Sequence, residues 1–418
     1  MNFFSNCFKS PLFIIQNQKS LGFDPSNIQK PDLKDKYLSL KIPDDIFRCI
    51  FSYFCNTPFD LFNICQVSKR FNGILKNFDG VLHLDRPSVV MIKRIAIKFE
   101  KINFDLNLDI KSLCQLESDS YAYNLINFKI IKLDLSFTHI QLLDGIQFLC
   151  NLKMLNLEGC KGLKLNTLSN LSSLNGLSVL NLAQTYVDRV KYLPSSQSLK
   201  KLNLSATFLS DVRNIEKIPN LTHLNLQICE QILSVKYLER LVNLTHLNLS
   251  FCKAVNEIVV LSQLINLESL NLYKCGEISH VDLNGISKLK KLRVLNLGHV
   301  KDDVSLKSLA GKTSLKKLSL TQRLVLTDDL YVFISLKNLM FLELLNSKIS
   351  TDHVLKIVQF SNVKLLSLTY CEERLDDLSF FAASFKNLKQ LNLTGTTVSA
   401  RTIASIELNN PNLKIITD

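Results

Sequence analysis

LTHLNLQIC, residues 221–229, is followed by LTHLNLSFC, residues 244–252, in a chain of 418 residues. In both stretches the last leucines alternate with polar residues, a two-residue period typical of a short β-strand with one apolar face. The same pattern returns every 22 to 25 residues between its clear copies. A single unit of this size cannot bury its apolar face, whereas stacked units share a continuous core. The sequence therefore predicts a solenoid of parallel strands.

The pattern extends over residues 81–418 and amounts to about fourteen units. Its clear copies start at Ile130, Leu152, Leu177, Leu199, Leu221, Leu244, Leu267, Leu292, Leu315, Leu339, Val363 and Leu388, a truncated copy starts at Leu413, and weaker copies include Leu82 and Leu106. This pattern resembles the leucine-rich repeat. The resemblance implies an α/β solenoid of horseshoe shape, whose concave face binds a partner.

Two polar positions recur within the repeat. The residue after the strand segment is a small polar one, and it is Cys160, Cys229, Cys252, Cys275 or Cys371 in five copies. In leucine-rich repeats this side chain turns inward and hydrogen-bonds loop backbone, so we expect structural thiols. The residue between the strand leucines is often asparagine and is predicted to face the concave side. This ladder is either a solvated polar surface or a hydrogen-bonding floor for a partner.

Residues 41–77 break the repeat and predict three short helices. Such a core is too small to be stable alone and needs a partner or a neighbouring domain. The segments Ile42-Pro43, Ile50-Phe51-Ser52-Tyr53-Phe54, Asp60-Leu61 and Val67-Ser68-Lys69-Arg70-Phe71 resemble an F-box. Residues 1–40, which carry little periodicity, are interpreted as a flexible arm.

The F-box resemblance implies docking on the Skp-type adaptor of a cullin–RING ubiquitin ligase. Carried over position by position, the adaptor-binding residues are Ile42, Pro43, Ile46, Ile50, Phe51, Val67 and Phe71. The alternative is a helical cap that covers the apolar end of the solenoid.

No signal for catalysis is found in the sequence. The motifs GxGxxG, GxxxxGK[S/T], HExxH, GxSxG and CxxC do not occur, so no catalytic residue, cofactor or metal is predicted. His223 and His246 occupy equivalent positions in adjacent repeats, but no third ligand is apparent. Two solvated histidines are therefore favoured over a metal site. We expect an adaptor or receptor rather than an enzyme.

Partner binding is expected on the concave face, where large and charged side chains supply most of the binding energy at interfaces. The candidates there are Phe137, His223, Gln227, Ile228, His246, Phe251, Tyr273, Lys274 and Tyr370. Phe251 and Tyr273 are the preferred anchors. The alternative is that these side chains only shield the edge of the sheet.

Charge and composition bear on the partner class. The formal net charge is +13, yet Lys and Arg are scattered along the sequence, which disfavours nucleic acid. No run of 18 apolar residues occurs, so no membrane partner is expected, and the irregular cysteines favour a cytoplasmic or nuclear location.

The sequence thus predicts the substrate-recognition subunit of a cullin-type ubiquitin ligase, with an unidentified target protein. The alternatives are a repeat scaffold without a ligase link and a bacterial effector acting in the host cytosol through the host ligase.

Overall fold

A parallel β-sheet runs through the repeats. A computed structural model of the chain describes residues 81–85, 103–107 and 130–417, with short gaps at 144–145, 257, 276–277, 299–303, 323–324, 326, 372–373, 376–377, 379–382 and 386. Within these residues, fifteen strands pair strictly in chain order, each parallel to the next. The predicted helical module and its adaptor-binding residues lie outside the described residues.

The strands recur at the predicted repeat positions. They are β1 (Val81–Asp85), β2 (Asn103–Asn107), β3 (Ile130–Asp134), β4 (Met154–Asn156), β5 (Val179–Asn181), β6 (Lys201–Asn203), β7 (His223–Asn225), β8 (His246–Asn248), β9 (Ser269–Leu272), β10 (Val294–Leu297), β11 (Lys317–Thr321), β12 (Phe341–Leu345), β13 (Leu365–Ser367), β14 (Gln390–Asn392) and β15 (Lys414–Ile416). Most contain three to five residues, as expected for a single turn of a solenoid.

The register of the sheet keeps each repeat position in one column. Leu224 of β7 lies beside Leu247 of β8, which lies beside Leu270 of β9. These leucines are buried together with those of the loops in one continuous core. Because side chains alternate along a strand, the residues between the leucines point to the opposite, concave surface. The predicted leucine-rich-repeat solenoid is confirmed.

Helices return the chain on the outer side of the sheet. The α-helices are α1 (His280–Ser287), α2 (Thr327–Ser335), α3 (Thr351–Phe360) and α4 (Ala400–Asn409). The outer segments of other repeats are 3₁₀ helices of three to nine residues, at Ile146–Phe148, Leu165–Ser173, Val190–Tyr192, Ile215–Lys217, Lys236–Arg240, Ile258–Gln263 and Leu306–Leu309. A helix is wider than the roughly 4.8 Å between strands, so the stack curves with the sheet inside.

Individual side chains fix the ends of α1. Ser279 Oγ accepts a hydrogen bond from the Asp282 backbone N–H, and an Asp282 carboxylate oxygen accepts one from Ser279 N–H, forming a capping box. At the other end, Lys312 Nζ donates to the carbonyls of Ser287 and Leu289, at 2.8 and 2.7 Å. A cation there also suits the helix dipole.

The predicted inward-facing thiols are confirmed. Cys229 Sγ donates to Leu204 O at 3.1 Å and Cys252 Sγ to Leu226 O at 3.0 Å, each across one repeat. Thr185 and Thr207 occupy the same position and bond a carbonyl of their own repeat instead. All five of these cysteines are buried, so they hold loop backbone rather than present a reactive surface.

Among the described residues, no helix is long and apolar enough to span a membrane.

Candidate functional site: the concave face and its carboxyl-terminal rim

The nine predicted anchors divide between two surfaces. His223 and His246 are the first residues of β7 and β8 and lie on the concave face. The other seven lie in the turn after a strand, which we call the carboxyl-terminal rim: Phe137, Gln227, Ile228, Phe251, Tyr273, Lys274 and Tyr370. One concave surface was predicted for all nine, so the structure separates what the sequence analysis had grouped.

The strand asparagines form the turns of this rim. Asn225 Oδ1 accepts the N–H of Gln227 at 3.1 Å, and Asn271 Oδ1 accepts that of Tyr273 at 3.1 Å. The same contact recurs at Asn156, Asn181, Asn203, Asn248 and Asn392. The asparagine ladder therefore uses its carbonyl oxygens inside the protein, and a partner can reach mainly its amide groups.

The third residue after the strand asparagine in these turns, or after Asp134 and Ser367 at the equivalent positions, adopts a left-handed backbone conformation. Phe137, Ile228, Phe251, Lys274 and Tyr370 all have φ between 51° and 63°. Non-glycine residues seldom occupy this region, and a β-branched one such as Ile228 is especially rare there. The turn directs these side chains outward at the rim, which explains why they do not lie on the sheet.

His223 and His246 stack on each other. Their ring centroids are 4.2 Å apart and their planes differ by 5°. Thr222 Oγ1 lies 2.9 Å from His223 Nδ1, and Thr245 Oγ1 lies 2.9 Å from His246 Nδ1. Each hydroxyl already donates its single proton to a backbone carbonyl of the preceding repeat. The Nδ1 atoms are therefore the donors, and the Nε2 atoms of the neutral rings are acceptors.

The environment of the pair favours the neutral rings. Burial, followed by the nearby His246 and Lys201, lowers the pKa of His223 to about 4. Burial also lowers the pKa of His246, although Glu268 acts in the opposite direction. Both rings are thus uncharged at neutral pH, and the pair is a hydrogen-bonding, apolar patch rather than a positive one.

A shallow groove runs from the histidine pair across the next strands. Its volume is about 150 Å³, and Lys317 and Glu343 line its far end, where they form an ion pair of 2.6 Å. Ser319 Oγ also donates to Glu343 at 2.6 Å. Ligand pockets usually measure roughly 300–1,000 Å³, so this groove suits a protruding side chain better than a small molecule.

One polar atom in this groove departs from the repeat pattern. Asn296 Oδ1 is buried without a hydrogen-bond partner among the described residues. The following turn explains this, because Gly298 N–H donates to Leu272 O at 3.4 Å rather than to Asn296. A Cβ at Gly298 would also collide with the backbone of Tyr273 and Lys274. Glycine is therefore required where this turn packs closely against its neighbour.

Phe251, Tyr273 and Lys274 form a compact cluster on the rim. The two aromatic rings meet edge to face with centroids 5.3 Å apart. Lys274 Nζ lies 5.5 Å from the centroid of each ring, a distance at which a cation is attracted to an aromatic face. All three are half-buried, so the cluster is preformed and offers a partner both an apolar and a cationic contact.

Phe137 and Tyr370 have a packing role as well. The ring of Phe137 covers Gly159 of the next repeat, and the ring of Tyr370 covers Gly395. Both rings nevertheless remain more than half exposed, at 65% and 55%. For these two residues the structure supports the shielding alternative, although shielding does not exclude contact with a partner.

Two further exposed aromatic residues were not predicted. Tyr186 and Phe208 follow the structural threonines of adjacent repeats, and their ring centroids lie 5.5 Å apart. They are 52% and 50% exposed. They do not lie at the variable strand positions of the repeat. The signal that could have identified them is that each follows a structural threonine, Thr185 or Thr207, at the same repeat position.

No group of three metal-ligating side chains occurs among the described residues, the histidine pair included.

Comparisons with known proteins agree with this architecture. An F-box domain model matches residues 39–81, and a model of Zer-1-like leucine-rich repeats matches residues 235–321. These matches confirm the resemblance to an F-box/leucine-rich-repeat protein. That combination is typical of adaptors and receptors rather than enzymes. A search of curated proteins finds none that matches the chain.

Solved structures share the fold. An internalin of Listeria monocytogenes is 19% identical, with a TM-score of 0.54, 70% of this chain covered and 87% of the other. A leucine-rich-repeat protein of Leptospira interrogans is also 19% identical, with a TM-score of 0.48, 79% of this chain covered and 94% of the other. At these identities the first likeness shows a common solenoid fold and nothing about the partner.

Proposed function

We propose that the chain is the substrate-recognition subunit of a cullin-type ubiquitin ligase. The observation that carries the proposal is the F-box match at residues 39–81, which overlaps the predicted helical module at 41–77 and precedes the repeats. An F-box implies binding to a Skp-type adaptor. The proposal implies a cytosolic or nuclear compartment.

The adaptor would contact the apolar residues carried over from the F-box pattern: Ile42, Pro43, Ile46, Ile50, Phe51, Val67 and Phe71. A three-helix module of this size has little core of its own, so burial of these residues against the adaptor would stabilise both partners. Each large apolar side chain that is fully buried contributes on the order of 1.5–3 kcal/mol.

The target protein would bind to the solenoid. The histidine pair and its groove offer neutral hydrogen-bonding groups on the concave face, while Phe251, Tyr273 and Lys274 supply a preformed rim anchor. Gln227 and Ile228 lie in the same rim at β7. Aromatic and cationic residues of this kind dominate binding energy at protein interfaces. The chain itself would perform no chemistry, since tethering a target near the ubiquitin carrier raises its effective concentration.

The test is co-purification of the full chain with a eukaryotic Skp-type adaptor. A Pro43→Ala, Ile50→Asp variant is expected to lose the adaptor. Ile265→Asp is the matched control, because Ile265 is a 62% exposed isoleucine of the solenoid surface. The control should bind as the unaltered chain does, and circular dichroism should show folded repeats in all three proteins.

If the unaltered chain fails to bind the adaptor, the ligase proposal is wrong. The F-box-like helices would then be a cap, and the protein would be a repeat scaffold that binds its partner without a ligase.

A further inference from the structure

The sheet register gathers positive charge on one edge of the solenoid. Two adjacent register positions are involved: the column of His223 and His246, which contains Lys132 in β3, and the residue before it. Their backbones bond from repeat to repeat. We call the basic residues at these positions the amino-terminal rim: Lys132, Lys153, Lys200, Lys201, Arg293, Lys316, Lys317, Lys364, Lys389 and Lys414. Basic residues that are far apart in the sequence thus share one side of the sheet, while other exposed lysines, such as Lys161 and Lys236, lie elsewhere.

Acidic residues are sparse on this edge. Glu268 is the one acidic residue at these two positions in the repeats from β3 onward, and it lies 3.8 Å from Arg293. Some acidic side chains, such as Asp134, Glu158 and Glu230, lie at or beyond the strand ends, and Glu343 in the middle of β12 pairs with Lys317 at 2.6 Å. The amino-terminal rim is thus predominantly basic, and part of it, including Lys201 and Lys317, extends onto the concave face.

The amino-terminal rim contains a groove. It has a volume of about 300 Å³ and is lined by Lys200 and Lys291 at its ends, with Thr222, Thr245 and Glu268 between them. Lys291 Nζ is held by Asn266 Oδ1 at 2.6 Å. Thr222 and Thr245 already donate their hydroxyl protons to backbone carbonyls, so the groups of this groove that can bind carboxylates are the ammonium groups of Lys200 and Lys291, on either side of Glu268.

We propose that the amino-terminal rim binds an acidic, Asp- and Glu-rich segment of the target protein. The inference rests on the proposed function in that the ligand is taken to be a polypeptide. The side chains also favour a polypeptide ligand over a phosphate-bearing one. Nearly all rim cations are lysines, whereas arginine is the preferred residue for bidentate phosphate recognition. From β3 to β15 the rim spans roughly 58 Å at about 4.8 Å per strand, enough for about 17 extended residues.

The experiment measures binding of the full chain to a fluorescein-labelled peptide of about 16 residues, rich in Glu, by fluorescence anisotropy at several salt concentrations. The rim variant carries Lys153→Gln, Lys200→Gln, Lys316→Gln and Lys389→Gln, all at exposed side chains. The control carries Lys161→Gln, Lys164→Gln, Lys217→Gln and Lys236→Gln, which are exposed lysines outside the rim. Both lose the same net charge.

The rim variant is expected to bind the peptide at least about fourfold more weakly, because it loses four exposed charge pairs, and the control within about twofold of the unaltered chain. Equal weakening in both variants would overturn the proposal, since net charge alone would explain it. Tighter binding of a single-stranded oligonucleotide of the same charge would also overturn it in favour of nucleic acid. Adaptor binding is measured on the same preparations, so a failed rim and a failed ligase link are distinguishable.

Discussion

His223 and His246 lie ring over ring with their planes 5° apart, each held through Nδ1 by the threonine that precedes it. The parallel register of β7 and β8 places the two residues side by side, and the shared sequence Thr-His gives them the same rotamer environment. Sheet register thus produces a structured patch from two residues that are 23 positions apart. The arrangement has a measurable effect on stability.

Acidification should destabilise the solenoid through this pair. The pKa of His223 is about 4 in the folded chain, against an ordinary value of 6.5. Between these values the unfolded chain binds more protons than the folded one, so the free energy of unfolding falls as pH falls. After allowance for partial exposure, we expect a loss of about 1–2 kcal/mol from pH 7 to 4.5. Urea unfolding at both pH values measures it.

A His223→Asn, His246→Asn variant should lose less stability than the unaltered chain over this interval. His280→Asn, at the exposed start of α1, is the control and should behave as the unaltered chain does. Equal losses in all three proteins would remove the pair as the cause.

Removing one turn asparagine should weaken both the fold and the rim cluster. Asn271→Ala deletes the acceptor of the Tyr273 N–H, and the free energy of unfolding should fall by about 1–2 kcal/mol. Asn271→Asp should cost less than half of that, because Asp134 already bonds Ser136 N–H at 2.9 Å in β3. Chemical denaturation measures the free energy of unfolding of both variants. Identical losses would show that the turn does not depend on this acceptor.

The glycine beneath Phe137 should resist substitution for two separable reasons. Gly159 has φ of 69°, and a Cβ there would run into the Phe137 ring. Gly311 also has φ of 69° but open space around it, so Gly311→Ala isolates the backbone cost of about 1 kcal/mol. Gly159→Ala should cost at least about 1 kcal/mol more. Calorimetric melting should also show partial recovery in the Phe137→Ala, Gly159→Ala double variant; without recovery, the ring is not the obstacle.

The described thiols should differ in reactivity. Cys150 is exposed, whereas Cys229 and Cys252 are buried, and burial raises the pKa of both buried thiols. Iodoacetamide should therefore alkylate Cys150 in the native chain and reach the other two only after denaturation. Peptide mass mapping before and after urea treatment measures this. Native alkylation of Cys252 at the rate of Cys150 would mean that the repeat core opens locally.

The fold follows from the sequence because its determinant is local. The alternating leucines of each repeat determine where its strand forms. Stacking then places equivalent residues side by side, as with Leu224, Leu247 and Leu270. The inward thiols were predictable for the same reason. The stacking contacts of a repeat are made with the repeats next to it, so the fold can be predicted without knowing which distant segments pair.

The surfaces were harder to predict because they depend on geometry that the pattern does not encode. Phe251 was assigned to the concave face, but the left-handed turn that follows the Asn248 contact moves it to the rim. Lysines that are distant in the sequence, such as Lys200 and Lys316, occupy one register position only when separate repeats are aligned, so the sequence alone shows them as scattered.

The left-handed turn position has a consequence for protein engineering. Its occupants include Phe137, Gln184, Ala206, Ile228 and Lys274, side chains that share neither size nor charge. The backbone conformation is imposed by the neighbouring strand and the turn contact, so side chains of different size and charge are accommodated, except at Gly159 and Gly395 beneath the rings of Phe137 and Tyr370. A combinatorial library restricted to the non-glycine positions of this column would diversify a stripe along the solenoid while leaving its leucine core untouched.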